Sequence, residues 1–368
     1  MKRIFILILI TVLPFIIMLY ASIDASIEYE FRNIKINDNS QKNDDSILSG
    51  SETGKKEREF IGQLKNIKTF EIAHKISKWI YKKNIIYCFD NIDQKFYLYN
   101  ENFKIISEFG EKGEAPWEAN DVVNFEITDS TINIIDYGKQ SVKNCPIPIK
   151  QKVNYYYKFK NNFWTGTKLN NNLYLFLIED YKTPDGDFSF DIIEMPSNNV
   201  IKSYDFKNIA TISPKQRYIN VAYEGFFCKN EGFIFYVCSK AGLFLCFNSN
   251  GEFIYKTETI DESPAPKIRT KTDGNLTFYI REPDYSINYS MTTDNYYLYI
   301  LSLIRFIKSD QLVIDIYNVS NGIYAGSYEV PNFDEQLPVR ILKTSSNLFI
   351  MYEDLTVIKY KIDLNYEK

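Results

Sequence analysis

Short runs of apolar residues, separated by polar turn residues, follow one another from about Leu64 to the end of the chain. The clearest unit contains the runs Gly232–Cys238, Leu243–Phe247 and Phe253–Thr257, with turn residues between them. Each run has the length of a typical strand. No apolar period of the helical kind holds for three turns after residue 22, so the pattern predicts strands and no helix.

The same rhythm recurs six times at a period of about 45 residues, which is typical of the four-stranded blades of a β-propeller. The six units contain Asn84–Phe89, Thr131–Ile135, Asn172–Ile178, Gly232–Cys238, Tyr296–Leu303 and Asn347–Tyr352. The last unit supplies only three strands, and a spare strand-like segment, Ile67–Ile72, precedes the first unit. We expect this segment to complete the last blade as its outer strand, because ring closure removes exposed edges. The predicted fold is an all-β, six-bladed propeller over residues 64–364.

The stretch Phe103–Phe125 marks the passage from one blade to the next. An apolar strand ends at Phe109, Gly110 and Gly113 break it, and a new alternating strand begins near Val122. Glycine between two such runs indicates a turn. The stretch therefore indicates how the blades are joined, and it indicates no particular chemistry.

This passage resembles the NHL-type repeat of bacterial six-bladed propellers, in which a strand is followed by a Phe-Gly-x-x-Gly-x-Gly-Pro-Gly-Glu turn. The residues that match are Phe109, Gly110, Gly113, Pro116 and Glu118. Ala115 and Trp117 stand where the family usually has glycine. The resemblance implies a bacterial NHL-type or TolB-like propeller over about residues 64–364, and it implies a fold rather than a function.

The N-terminus has the pattern of an export signal, with a basic start at Met1–Arg3 and an apolar run at Ile4–Tyr20. Residues 1–21 fit either a signal peptide cleaved near Ala21 or Ala25, or an uncleaved anchor that spans the inner membrane. In both cases the basic residues stay in the cytoplasm and the remaining chain is exported. The sequence predicts a periplasmic or cell-surface protein that touches the membrane only through this segment.

Residues 22–63 are mostly polar and are predicted to be a linker, because such a composition buries too little apolar surface to order itself.

The net charge is −4 and the sequence has no basic stripe, so it gives no sign of a nucleic-acid partner. Aromatic residues make up 16% of the chain, which favours strands. The odd number of five cysteines leaves at least one free thiol. Cys238 and Cys246 are predicted to be small core residues, with Cys246 opposite about Phe235.

The single histidine, His74, rules out a zinc site of several histidines as well as most triad chemistry, and its position at a blade start favours a structural role. A lactonase-like propeller would instead hold a divalent cation with carboxylate and amide oxygens. Candidate positions recur at the ends of the second strands: Asp90, Asn91, Asp136, Glu179, Asp180, Glu353 and Asp354. Lys240 and Arg305 occupy the matching places in the fourth and fifth blades, which favours an anionic ligand or simple ion pairing over a metal. The alternative is that these residues only stabilise turns.

The longest insertion, Thr259–Tyr285, contains a predicted hairpin with a turn at Asp273 and Gly274. Three basic residues, Lys267, Arg269 and Lys271, alternate along its first strand and therefore share one face. We expect this face to contact an acidic partner or ligand, and a solvated structural hairpin is the alternative.

Taken together, these patterns favour an exported binding or interaction module of the cell envelope without a cofactor, which binds an envelope protein or a small ligand. Catalysis is less supported. The enzymatic alternative is a metal-assisted hydrolase or lactonase that uses the carboxylates at the channel mouth with a divalent cation such as calcium.

Overall fold

The computed structural model describes residues 57–160, 162–170, 172–180, 186–213, 215–273, 276–304 and 311–362. The predicted signal or anchor segment, the linker up to residue 56, and Arg305 lie outside the described residues.

The described chain consists almost entirely of strands. It begins with β1 (Phe60–Gln63), β2 (Lys65–Glu71), β3 (Ile76–Lys82), β4 (Ile85–Asp90), β5 (Lys95–Asn100), β6 (Ile105–Phe109), β7 (Val122–Ile127), β8 (Thr131–Asp136), β9 (Ser141–Pro146) and β10 (Tyr155–Lys158). It continues with β11 (Phe163–Lys168), β12 (Leu173–Asp180), β13 (Asp187–Glu194), β14 (Asn199–Asp205), α1 (Phe206–Ala210), α2 (Ile219–Ala222), β15 (Gly225–Lys229), β16 (Phe233–Cys238), β17 (Leu243–Asn248) and β18 (Phe253–Glu258). It ends with β19 (Lys267–Asp273), β20 (Leu276–Glu282), β21 (Asn288–Thr293), β22 (Tyr297–Ile304), β23 (Gln311–Asn318), β24 (Tyr324–Glu329), β25 (Pro338–Lys343), β26 (Asn347–Tyr352) and β27 (Thr356–Lys361).

These strands form six antiparallel sheets, or blades, in chain order: β3 to β6, β7 to β10, β11 to β14, β15 to β18, β21 to β24, and β25 to β27 with β2. The first strands of the blades contact one another in a closed circuit, from β3 through β7, β11, β15, β21 and β25 back to β3. The fold is a six-bladed β-propeller, as the sequence predicted. The passage from β6 to β7 also agrees, since β6 ends at Phe109 and β7 begins at Val122.

Ring closure is confirmed, because β2 pairs antiparallel with β27 and places Thr69 opposite Ile358. Before it, β1 pairs in parallel with β24 and adds a fifth strand to blade five. The stretch assigned to the linker therefore contains a strand at Phe60–Gln63. This four-residue strand directly follows a polar run, so its apolar pattern is too short to detect from sequence.

Apolar runs such as that of β16 do not alternate, because both faces of a blade are covered by its neighbours. Tyr236 and Cys238 pack between blades three and four, whereas Phe235 and Val237 pack between blades four and five. All five cysteines are free, and Cys246 lies opposite Phe235 as predicted.

The prediction of no helix is wrong at two short places, α1 and α2, which both lie between β14 and β15. Asp205 caps α1 by accepting a hydrogen bond from the Asn208 backbone N–H at 2.8 Å. Helices of five and four residues are too short to establish an apolar period. Within the described residues, no helix has the length and apolarity needed to cross a membrane.

Candidate functional site

A cavity of about 820 Å³ lies along the centre of the ring and is lined by residues from β3, β7, β11, β15, β21 and β25, the first strand of every blade. We call it the channel. Its volume is sufficient to hold a small organic molecule.

Two cations from neighbouring blades, Lys78 of β3 and Arg340 of β25, hold equivalent positions in the channel wall. Each follows the irregularity at the start of its strand, where the pairing shifts after Ile76 and after Pro338. Such bulges change the direction of the side chains that follow them. Arg340 Nε donates to the backbone oxygen of Ser77, the residue before Lys78, at 2.9 Å, and both cations line the channel.

The Lys78 ammonium group is enclosed by neutral acceptors. Its Nζ donates to Asn124 Oδ1 and to the Phe227 backbone oxygen at 3.4 Å. Burial lowers the pKa of Lys78 to about 8. The thiol of Cys228 lies nearby, but burial raises its pKa to about 11, so it supplies no negative charge near neutral pH.

Only two of the three guanidinium nitrogens of Arg340 have hydrogen-bond acceptors among the described residues. Its Nε and Nη1 donate to backbone oxygens of Ser77, Tyr289 and Val339. Burial also lowers the pKa of Arg340. Within the described residues, neither Lys78 nor Arg340 forms a salt bridge to a carboxylate.

The carboxylate of Glu126, which also lines the channel, already has three partners within the protein. It binds Lys229 Nζ at 2.5 Å and accepts hydrogen bonds from Thr167 Oγ1 at 2.7 Å and Lys168 N at 2.8 Å. The cationic lining residues of the described chain are Lys78, Lys82, Lys168, Lys229, Arg340 and Lys343, and the acidic ones are Glu126 and Glu231. The channel therefore carries an excess of positive charge.

No described member of the set of residues predicted at the channel mouth is among the residues that line the channel. Asp90 accepts hydrogen bonds from the backbone N–H groups of Lys75, Ile92 and Asp93. Asp136 accepts hydrogen bonds from the N–H groups of Asn120, Asp121 and Lys139, and it forms a fully buried salt bridge with Lys143 at 3.2 Å.

The remaining predicted residues are spread over separate contacts. Glu179 accepts a hydrogen bond from Trp164 Nε1 at 2.7 Å and another from Asn220 Nδ2. Lys240 pairs with Asp284 at 3.4 Å. Asp354 accepts hydrogen bonds from the N–H and the hydroxyl of Thr356.

Two of the predicted residues contribute backbone contacts: the oxygen of Asn91 accepts from Gln94 Nε2, and the N–H of Glu353 donates to Leu337. The side chain of Asp180 and all of Arg305 lie outside the described residues. The structure brings none of these described residues together around one ligand.

One cluster that the sequence did not single out contains His74, Asp90 and Asp93, whose ligating atoms all lie within 4.8 Å of one another. The His74 ring stacks on Tyr97 with centroids 3.7 Å apart. Because Asp90 already accepts three backbone hydrogen bonds, it has little remaining capacity to bind a metal.

The hairpin formed by β19 and β20 pairs with no other strand of the described chain. Lys267, Arg269 and Lys271 are exposed on one face, as predicted, and they lie opposite Glu282, Ile280 and Phe278 respectively. We call this the outer face. Phe278 is 50% exposed and Ile280 is 43% exposed, so apolar side chains alternate with the basic ones there. Arg269 also pairs with Glu282 at 2.9 Å.

The opposite face of the hairpin is attached to the propeller. Arg281 Nη2 binds Glu224 at 2.7 Å, and the Tyr279 ring packs on Tyr218 with centroids 5.2 Å apart. Asp273 pairs with Leu276, so the turn falls one residue later than the sequence predicted, and its two connecting positions lie outside the described residues.

Sequence reasoning missed Lys78 and Arg340. Each is a cation between apolar residues in a strand that ends with a lysine, Ile76–Lys82 or Pro338–Lys343. That was the available signal, because a charge within a core strand needs a specific environment.

No protein-family model and no curated protein matches the chain. Among solved structures, it is similar to a member of the DUF4221 family from Bacteroides vulgatus, with a TM-score of 0.55 and 10% identity over 82% of this chain and 98% of that chain. BamB from Moraxella catarrhalis matches with a TM-score of 0.44 and 8% identity over 81% of this chain and 100% of that chain. Virginiamycin B lyase from Staphylococcus aureus matches with a TM-score of 0.47 and 10% identity over 82% and 100%, respectively. At such identities the likeness concerns the fold alone.

Proposed function

We propose that this protein is an exported, NHL-like or TolB-like propeller that works as a binding module of the cell envelope, and that the outer face of the hairpin docks an acidic protein partner. The single observation that carries the proposal is the free outer face, on which Phe278 and Ile280 are exposed between basic residues. Adjacent apolar and charged side chains are typical of protein interfaces, where aromatic anchors supply affinity and charges supply orientation.

The partner is expected to be acidic because the outer face presents three cations, Lys267, Arg269 and Lys271, of which only Arg269 has a carboxylate partner among the described residues. A partner carboxylate would therefore meet two cations that are not yet paired. Phe278 lies directly opposite Lys271 and would be covered in the same contact.

Photo-crosslinking in cells tests this docking. A photoreactive residue in place of Phe278 should form one adduct with an envelope protein. Reversal of Lys267, Arg269 and Lys271 to Glu should abolish that adduct. A charge-matched control, with the exposed Lys104, Lys112 and Lys152 all changed to Glu, should retain it. An adduct that survives reversal on the hairpin, or fails to form in the unmodified background, would contradict the proposal.

Export itself is supported by the basic start and apolar run of residues 1–20. N-terminal sequencing of the protein from the envelope fraction distinguishes the two forms of export. A chain that begins near Ser22 or Ser26 indicates cleavage, whereas an intact Met1 in the membrane fraction indicates an anchor. Recovery of the protein in the cytoplasm alone would contradict export.

The enzymatic alternative is a metal-assisted hydrolase, and the observation that favours it is the group of His74, Asp90 and Asp93. Elemental analysis of the purified protein tests it directly. Stoichiometric calcium or zinc that is lost on Asp93→Asn would establish a metal centre and overturn the proposal of a module without a cofactor. Metal-free protein that retains its partner would support the binding module.

A further inference from the structure

We infer that the channel binds a small organic anion, with one carboxylate or phosphate group held between Lys78 and Arg340 and an apolar body along the channel wall. This site is separate from the outer face of the hairpin, and it does not depend on the proposed docking of a partner there.

The number of N–H donors without an acceptor on Lys78 and Arg340 supports an anionic ligand. A lysine ammonium has three N–H donors and a guanidinium has five. Lys78 uses two of its donors, and Arg340 uses those of Nε and Nη1. One N–H donor of Lys78 and both N–H donors of Arg340 Nη2 therefore have no acceptor among the described residues. All three donors belong to charged groups. Arginine beside a second cation is well suited to binding carboxylate and phosphate.

The charge balance supports the same conclusion. Lys78 and Arg340 are both enclosed in the channel wall, and removing such cations from water costs free energy unless a counter-charge is present. Among the described residues, Glu126 is committed to Lys229, and the thiol of Cys228 is neutral near pH 7. Neither Lys78 nor Arg340 forms a salt bridge with the second acidic lining residue, Glu231, within the described chain, and an anionic ligand would supply the missing negative charge.

The size and lining of the channel indicate an organic ligand rather than a bare inorganic ion. A volume of about 820 Å³ lies within the range of ligand pockets, roughly 300–1,000 Å³. Apolar side chains that line it include Ile80, Phe226, Met291 and Leu342. These surfaces would cover the apolar part of a ligand whose charged group is held at Lys78 and Arg340.

Isothermal titration of the full chain tests the inference with benzoate and phenyl phosphate, which share an apolar ring and differ in the anionic group. Benzyl alcohol is the neutral control, and inorganic phosphate tests the need for an apolar body. We expect binding of at least one aromatic anion and none of benzyl alcohol. Loss of one charged hydrogen bond should weaken binding by about tenfold or more, as in Lys78→Met or Arg340→Met. Lys83→Met, on the outer surface, should leave binding unchanged.

A folding control accompanies each variant. Lys78→Met should be at least as stable as the unmodified protein, because an unpaired cation leaves an enclosed site. Arg340→Lys keeps the charge and serves if Arg340→Met does not fold; it should bind more weakly than the unmodified protein. Failure of both aromatic anions to bind, equal binding by a folded Lys78→Met variant, or binding of inorganic phosphate alone would overturn the inference. Hairpin crosslinking should be unaffected by Lys78→Met, so the two proposals can fail independently.

Discussion

At the scale of single residues, two aspartates at the ends of second strands fix the connections between blades. Asp90 holds the N–H of Lys75 just before β3, and Asp136 holds the N–H groups of Asn120 and Asp121 just before β7. Each carboxylate thus fastens the chain where a new inner strand begins. This explains their recurrence at equivalent positions without a ligand.

We expect Asp136→Asn to destabilise the protein by about 3–5 kcal/mol, because it leaves the fully buried ammonium of Lys143 without its counter-charge. Urea denaturation measures the change. Asp129→Asn is the matched control, since the Asp129–Lys83 pair is 78% and 66% exposed, and it should produce no measurable change. Equal midpoints for the two variants would show that the buried pair contributes nothing to stability.

A second residue-scale prediction concerns pH. The pKa of Lys78 is lowered by burial to about 8, so the group loses its charge as the pH rises through 8. Glu126 favours the charged form of Lys78 and Lys229 opposes it, but these two groups pair with each other, and the pKa of the Cys228 thiol, at about 11, keeps that thiol neutral. Arg340, whose Nε contacts the backbone of Ser77, is a further cation in the same channel wall. Benzoate stays ionised throughout, so its affinity should fall by roughly tenfold between pH 7 and pH 9. Titration calorimetry should give this decline, and a flat profile would exclude Lys78 from the anion site.

The two channel cations show what sequence can and cannot reveal at this scale. The sequence analysis placed no strand around Lys78 or Arg340. Their approach, about 260 positions apart in the chain, depends on ring closure; Arg340 contacts Ser77 across 263 positions. The carboxylates at strand ends could be found from spacing alone. Their hydrogen bonds to backbone N–H groups depend on loop conformations that spacing does not determine.

At the scale of the element, the inner strand β11 needs a glycine where a large side chain of the paired strand β12 lies against it. In β11, a Cβ added to Gly166 would lie 2.4 Å from Phe176 Cδ1 and 3.0 Å from the Leu175 oxygen. The backbone oxygen of Gly166 itself accepts a hydrogen bond from Asn124 Nδ2 of the neighbouring blade at 2.6 Å. Gly166 therefore sets both the packing within its blade and the contact with the next one.

Gly166→Ala should destabilise the protein by about 1–3 kcal/mol, because the Phe176 ring and the strand must move to admit a methyl group. Gly232→Ala is the control, since an added Cβ there meets nothing within 4 Å. Thermal unfolding of the two variants in parallel measures the difference. A Gly166→Ala protein as stable as the Gly232→Ala protein would show that the strand accommodates the methyl group freely.

Elements were predictable where the apolar run was long. The β16 and β17 runs gave the correct register around Cys246 and Phe235. The outer strand β10 and five inner strands, β3, β11, β15, β21 and β25, were missed. The short helices α1 and α2 and the four-residue β1 were missed as well. In each, tertiary contacts supply most of the stabilisation, as Phe206 of α1 shows by packing against Phe190 and Tyr236.

At the scale of the whole molecule, the chain before blade one holds the ring together twice. β2 completes blade six, and β1 adds an edge strand to blade five. Arg58, just before β1, binds both oxygens of the fully buried Asp315 at 2.9 and 3.0 Å and reaches Asp261 at 2.6 Å. Burial lowers the pKa of Arg58, but the hydrogen bonds and charges of Asp315 and Asp261 together outweigh burial and raise the pKa above its usual value, so Arg58 stays charged and fixes this segment at any physiological pH.

Loss of β2 should damage the protein more than loss of β1, and truncation from the N-terminus tests this difference. A chain that starts at Leu64 lacks Arg58 and β1. It leaves Asp315 buried without its partner, so we expect a lower unfolding midpoint but a monomer, because blade six is still complete.

A chain that starts at Ala73 also lacks β2 and exposes the whole edge of β27. Phe70 and Ile72, which pack with Val357 in the core, are lost as well. An open strand edge beside exposed core is a template for intermolecular pairing, so this protein should form oligomers or aggregates in size-exclusion chromatography with light scattering. A chain from Ala73 that remained monomeric, with the unfolding midpoint of the chain from Leu64, would show that β2 does not close the ring.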